Sequence, residues 1–129
     1  MFGYFAILPN MKILKSQLTA TQKMQYEARA KIIKAIAHPS RLFIIEELEK
    51  GERCVNDLTD MIGADVSTVS KHLSVLKNAG LIGDKRSGNN IFYYLRTPCI
   101  LGFFGCLEDV IESNARQQGE ILLACKTKR

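Results

Sequence analysis

Two sets of side chains in this 129-residue chain have the types and spacing to do chemistry. The first is four cysteines, Cys54, Cys99, Cys106 and Cys125, which can pair as two disulfides or stay as thiols that bind metal or respond to oxidation. The second is a cluster of short hydroxyls and lysines, Ser67, Thr68, Ser70, Lys71, Ser74 and Lys77, with His72 among them. They lie between apolar residues Val66, Val69, Leu73 and Leu76, whose i, i+3, i+7, i+10 spacing predicts a helix with one buried stripe. Exposed helix faces usually mix glutamate with lysine; hydrogen-bonding groups and positive charge alone suit a polyanion. Neither His38 nor His72 has a cysteine nearby in sequence, and no nucleophile-loop motif surrounds any thiol, so the pairing that cysteine-nucleophile catalysis needs is missing. The chain reads as a binding protein rather than an enzyme.

The elements that position these residues can be read from caps and turns. Asp65 is a good N-cap and Gly80 a good C-terminal stop for the Ser/Thr/Lys helix, and Lys77 sits in its last turn. Upstream, Val55 to Met61 forms a shorter amphipathic segment, separated by Ile62-Gly63-Ala64; two such helices around a tight turn make a helix-turn-helix. Downstream, Leu81 to Arg86 and Ile91 to Arg96 flank the polar turn Ser87-Gly88-Asn89-Asn90 and predict a two-stranded hairpin. A hairpin there, with Lys85 and Arg86 beside its tip, is the wing of a winged helix. Thr19 or Thr21 can cap a first helix that ends at His38-Pro39. Ser40 then caps a second helix, Arg41 to Lys50, closed by Gly51. Thr97 and Pro98 begin a final helix from Cys99 to about Gln118.

The expected fold is therefore mainly α, a winged helix-turn-helix of about five helices plus a two-stranded β-hairpin wing. The expected organisation is an N-terminal arm over 1–18, one domain over 19–118 and a basic tail over 119–129. The first and last helices carry more apolar surface than a small domain can bury, which predicts a partner, most simply a second copy of the chain. A net charge of +5 favours a polyanion without proving one. No run of eighteen apolar residues is present to span a membrane, and the apolar start, Met1 to Pro9, lacks the basic flank of a secretory signal. A cytoplasmic location with reduced thiols is expected.

Four motifs in order give the chain a family resemblance: Ala37-His38-Pro39-Ser40-Arg41-Leu42, Val69-Ser70-Lys71-His72-Leu73, Leu76 to Ile82, and Arg86 to Leu95. Over roughly Ala28 to Ser113 the sequence resembles the ArsR/SmtB family of winged-helix metal- and thiol-responsive repressors. The resemblance implies a homodimer, built by the first and last helices, that binds double-stranded operator DNA and releases it when an inducer occupies a cysteine or histidine site. Ser67, Thr68, Ser70 and His72 would approach base edges, and Lys71, Lys77, Lys85 and Arg86 would neutralise phosphates. No obligatory cofactor, membrane or enzyme substrate is implied. A winged helix that has lost DNA binding and engages only proteins is a rival reading; the Ser/Thr/Lys face and the basic wing argue against it.

The sequence departs from the family at its inducer sites. Its last helix has no histidine, so the family's Asp/His zinc site is absent. The family's Cys-Val-Cys-Asp-Leu stands here as Cys54-Val55-Asn56-Asp57-Leu58, with an amide in place of one thiol. Cys99 and Cys106 share a helix face but lie about 10.5 Å apart on an ideal helix, too far for one ion unless the helix distorts, and Gly102 and Gly105 weaken it there. With Cys54 as a third sulfur, Cys54, Cys99 and Cys106 would suit trivalent arsenic or antimony better than zinc, which wants a fourth ligand. Oxidation to a disulfide or polysulfide bridge is an alternative inducer chemistry, as is a soft divalent metal such as cadmium or lead. Inert buried thiols are the bland reading, and Cys125 is the least suited ligand. His38, just before a proline, reads as a helix-end hydrogen-bonding group rather than a ligand.

Overall fold

The computed structural model describes residues 17–127, with side chains as far as Cys125. Helix α1 spans Ala20–Ile36, α2 Pro39–Lys50, α3 Val55–Ile62, α4 Val66–Asn78 and α5 Ile100–Thr127; strands β1 (Arg53–Cys54), β2 (Ile82–Ser87) and β3 (Asn90–Leu95) are the other elements of the described residues. The five helices and the hairpin match the expected architecture, and Thr19 caps α1 in a reciprocal box with Gln22, its N–H donating to Oε1 at 2.9 Å.

Four details differ from the sequence reading, each for a physical reason. The sheet has three strands, in the order β1-β3-β2, because Arg53 and Cys54 pair antiparallel with Tyr93 and Phe92; a two-residue strand leaves no periodicity to read. The wing closes through Gly88 and Asn89 alone, since Ser87 pairs with Asn90. Helix α2 is capped by His38, not Ser40: the His38 imidazole Nδ1 accepts from the Ser40 N–H at 3.1 Å, and Pro39, with its fixed φ, starts the helix. At the far end, Cys99 lies in the turn before α5, where the Gly102 N–H donates to the Cys99 carbonyl at 3.2 Å, and α5 continues past Gln118 to Thr127.

The core lies where the helix-turn-helix meets α2 and the root of the sheet. Ile44, Ile45, Leu58, Val69, Leu73, Leu76 and Ile82 are fully buried, with Leu48, Leu81 and Phe104 close behind. Val66, expected in the buried stripe, is instead exposed, because it opens α4 before the helix has reached the core. Glu47 on α2 is buried, and its carboxylate meets Lys50 Nζ at 2.7 Å and Arg53 Nη2 at 3.8 Å, which compensates a charge that would be costly alone.

Two helices lack cover. Ile33 on α1 is 51% exposed, and on α5 Val110 and Ile111 are 57% and 67% exposed; of the described α5 side chains only Phe104 is buried. Between these helices runs a wholly apolar groove of about 270 Å³, lined by Ile32, Ile33, Ile36, Ile100 and Phe103, with Arg29 at its edge. Apolar surface left open on two neighbouring helices is what association covers.

Candidate nucleic-acid interface

Helices α3 and α4 are joined by a tight turn in which Gly63 adopts φ 75° and its N–H donates to the Thr59 carbonyl at 2.9 Å. The left-handed conformation there favours glycine, and it lets α4 cross α3 with Val69, Leu73 and Leu76 inward. The opposite side of α4 is therefore presented to solvent: Ser67, Thr68, Lys71 and Ser74 are exposed, and Ser70 is half-buried at the margin.

The side chains on that face are not equally free. Asp65, the N-cap, accepts from the hydroxyls of both Ser67 and Thr68. Those two hydrogen bonds hold its carboxyl down to about 2, so the first turn carries a fixed anion tied to two of the residues expected at base edges. Lys77 in the last turn reaches Asp84 on β2, Nζ to Oδ2 2.8 Å, and Lys85 reaches Glu52, 2.5 Å. Lys71 and Arg86 have no such carboxylate among the described residues and extend into solvent. His72 is turned away from the open face. Its ring lies against that of His38, centroids 4.4 Å apart, and burial, then His38 and Arg41, push its pKa down.

The wing stands beside α4. Asp84 pairs across the strand with Tyr93, Lys85 with Phe92 and Arg86 with Ile91, so Arg86, two residues on from Asp84, projects from the same face of β2 as Asp84. Tyr93 is packed against the core, and burial together with the Asp84 charge raises its pKa. Sequence reading missed Asp84, Glu52 and the His38 contact as partners of the basic face. They are distant or unpatterned in sequence, and only the folded hairpin brings them in.

The four thiols are free; Cys54 is partly buried and Cys99, Cys106 and Cys125 are exposed. Cys54 occupies the junction between β1 and α3, where its N–H donates to Asp57 Oδ2 at 3.4 Å. Among the described residues no three His, Cys, Asp or Glu side chains converge on a point that could hold a metal ion. Cys54, Cys99 and Cys106 are thus not gathered at one point within a single protomer.

A three-helix core, a two-helix reading unit with a polar, basic outward face, and a β-hairpin at its side define a winged helix-turn-helix. The family model for bacterial regulatory proteins of the arsR family matches residues 38–83. The nodulation protein NolR of Rhizobium meliloti is 33% identical over 84 residues, 65% of this chain and 69% of that one. The crystal structure of NolR from Sinorhizobium fredii superposes with a TM-score of 0.68 at 28% identity, covering 74% of this chain and 95% of that one. The chain belongs to the ArsR family, whose members are DNA-binding transcriptional regulators rather than enzymes.

The transcriptional repressor SmtB of Mycobacterium tuberculosis is 36% identical over 69 residues, 54% of this chain. This chain spans about half the length of that relative, 51%. The solution structure of a homodimeric winged helix-turn-helix DNA-binding domain from Mycobacterium bovis, a possible ArsR-family regulator, matches with a TM-score of 0.64 at 26% identity, covering 75% of this chain and 90% of that one. Among the described residues no helix is long and apolar enough to cross a membrane.

Proposed function

We propose that this chain is a homodimeric repressor that lays α4 in the major groove of operator DNA, sets its wing over neighbouring phosphates, and leaves the DNA when a thiophilic inducer engages its cysteines. The observation that carries the DNA reading is the face of α4. Ser67, Thr68, Ser70, Lys71 and Ser74 lie on a helix whose Val69, Leu73 and Leu76 are fully buried, and the exposed Arg86 of the wing has no carboxylate partner among the described residues. Hydroxyls suit base edges and cations suit phosphates. The uncovered apolar faces of α1 and α5, and the homodimeric Mycobacterium bovis relative, support a twofold pair whose two α4 helices read half-sites about one helical turn apart.

A gel-shift titration on duplexes recovered from a random-sequence pool tests this. Ser70→Ala with Lys71→Ala should abolish retention while circular dichroism stays native. Full retention by that double variant would discard the major-groove placement.

For the inducer, the reading is trivalent arsenic or antimony held by Cys54, Cys99 and Cys106. The chemistry of the donor set supports it, three sulfurs without histidine. Because one protomer does not gather them, the sulfurs must come from two protomers or from a rearranged start of α5, where Gly102 and Gly105 leave the helix weakly held. A second reading is favoured by that same lack of a three-ligand group: two exposed thiols, each losing a proton and together two electrons to an oxidising sulfur species, close a disulfide or polysulfide bridge with no third ligand. Cadmium or lead at the same sulfurs follows the first scheme. Such chemistry belongs in a reducing cytoplasm, where resting thiols persist. Mass spectrometry of reduced protein exposed separately to arsenite, cadmium and polysulfide, against Cys54→Ser and Cys106→Ser, separates these inducers. Operator affinity unmoved by arsenite removes the first.

A further inference from the structure

We propose that Asp84 and Glu52 act as built-in competitors of DNA phosphate: by holding Lys77 and Lys85 they withhold two of the four basic side chains of the reading face and so set how tightly the protein grips DNA. The proposal rests on the DNA-binding reading above. Lys77 lies in the last turn of α4 and Asp84 on β2 of the wing, with Nζ and Oδ2 2.8 Å apart; Lys85 is the next residue along β2, and its Nζ meets Glu52 Oε1 at 2.5 Å. Neighbouring residues of a strand point to opposite faces. Asp84 and Lys85 are therefore clasped from opposite sides of the same strand, one by the recognition helix and one by the segment that leads into β1.

The charge arithmetic makes the effect selective. Of Lys71, Lys77, Lys85 and Arg86, the two middle cations each have a carboxylate within ion-pair distance, whereas Lys71 and Arg86 have none among the described residues. A carboxylate at that distance offers a lysine what a phosphate offers, a charge-assisted acceptor. The lysine contributes to DNA affinity only by the difference between the two partners. Both pairs are solvent-exposed, so each is weak enough to be exchanged yet close enough to compete. A repressor that must be dislodged by a modest coupling from an inducer site gains from a limited grip.

The test measures binding to a duplex recovered from a random-sequence pool with the wild-type protein, by fluorescence anisotropy across a salt series. Asp84→Asn and Glu52→Gln should each raise affinity about three- to tenfold near 0.1 M salt, and each should steepen the slope of log K against log salt by ~0.9, one phosphate per freed lysine. Asp60→Asn is the charge control: Asp60 is exposed on α3 with no lysine partner among the described residues, and its neutralisation should leave the slope unchanged. In a Lys77→Gln background the gain from Asp84→Asn should vanish.

An equal gain and slope in Asp60→Asn would reduce the effect to bulk charge and overturn the proposal. So would a gain that survives Lys77→Gln. A loss of affinity in Asp84→Asn, with melting unchanged, would show instead that the pair orients the wing, and would also overturn it. If the wild-type protein recovers no duplex at any salt concentration, the DNA-binding reading itself fails, a result distinct from the other three.

Discussion

The imidazoles of His38 and His72 face each other across the junction of α2 and α4, centroids 4.4 Å apart and planes tilted by 40°. His38 also caps α2 through Nδ1, so one ring ties the start of a core helix to the middle of the recognition helix. Burial, His38 and Arg41 lower the pKa of His72 below its ordinary 6.5. The unfolded chain then binds the proton more readily than the folded one, and stability rises with pH wherever that holds. The contribution is complete above 6.5 and is lost as pH falls through that value toward the depressed folded pKa. Urea midpoints should therefore drop between about pH 7.5 and about pH 5.5, and His72→Gln should flatten part of that drop. An unchanged pH profile in His72→Gln would exclude the pair as its source.

Gly83 on β2 lies opposite Tyr94 on β3, and a β-carbon added at Gly83 would overlap the tyrosine ring, with Cε2 at 2.9 Å. The ring covers the bare glycine, an arrangement that stabilises a glycine-containing strand pair. Gly83→Ala should displace the ring and lower stability by about 1 kcal/mol, an effect of the size expected for a cross-strand aromatic contact. In a Tyr94→Ala background the same substitution should cost less. Thermal melts of the four proteins in this cycle decide it.

Leu73 lies in the buried stripe of α4 with no exposed surface. Leu73→Ala should cost about 2–5 kcal/mol, a lost side chain plus the cavity it leaves. Denaturant unfolding measures the loss directly, and a cost below that range would mean the helix repacks toward α2.

Ile33 and Ile111 are both more than half exposed on helices that flank the apolar groove. Ile33→Glu and Ile111→Glu should each leave the fold intact and convert the proposed dimer to monomer in sedimentation equilibrium, because a buried unpaired carboxylate is costly. DNA affinity should fall with them, since one reading unit binds a half-site alone. A wild-type protein that sediments as a monomer would remove the twofold arrangement.

Lys71 and Arg86 are the exposed cations of the reading face that have no carboxylate partner among the described residues. Lys71→Ala and Arg86→Ala should each weaken binding to unrelated duplexes and make the salt slope shallower by ~0.9. Sequence preference should survive Arg86→Ala, because a phosphate contact positions the protein without reading bases.

The helix-turn-helix and wing were legible because their signals are local. Val69, Leu73 and Leu76 state the period of α4, Gly63 marks the turn before it, and the apolar run Ile91 to Leu95 marks the returning strand. What was not legible depends on contacts made only after folding. Nothing in the spacing of Lys77 and Asp84, or of Glu52 and Lys85, announces that the hairpin will bring them within 3 Å of each other. The same holds for His72, whose polar neighbours in sequence placed it on the open side while its ring packs inward. The cysteines show the limit most clearly. Seven residues separate Cys99 from Cys106, and helical spacing would align them, but Cys99 falls in the turn before α5 and Cys54 lies at the β1–α3 junction. Donor chemistry can be read from residue types; convergence cannot.

The unbroken run of α5 from Ile100 to Thr127 gives the molecule a single helical rod of 28 residues, roughly 42 Å from end to end. A rod of that length amplifies. A pivot of about 10° at its root, beside Cys99, sweeps its tip through ~7 Å by simple geometry. Under the proposed inducer scheme, a chemical event at the base of the rod would become a displacement of about the rise of two base pairs.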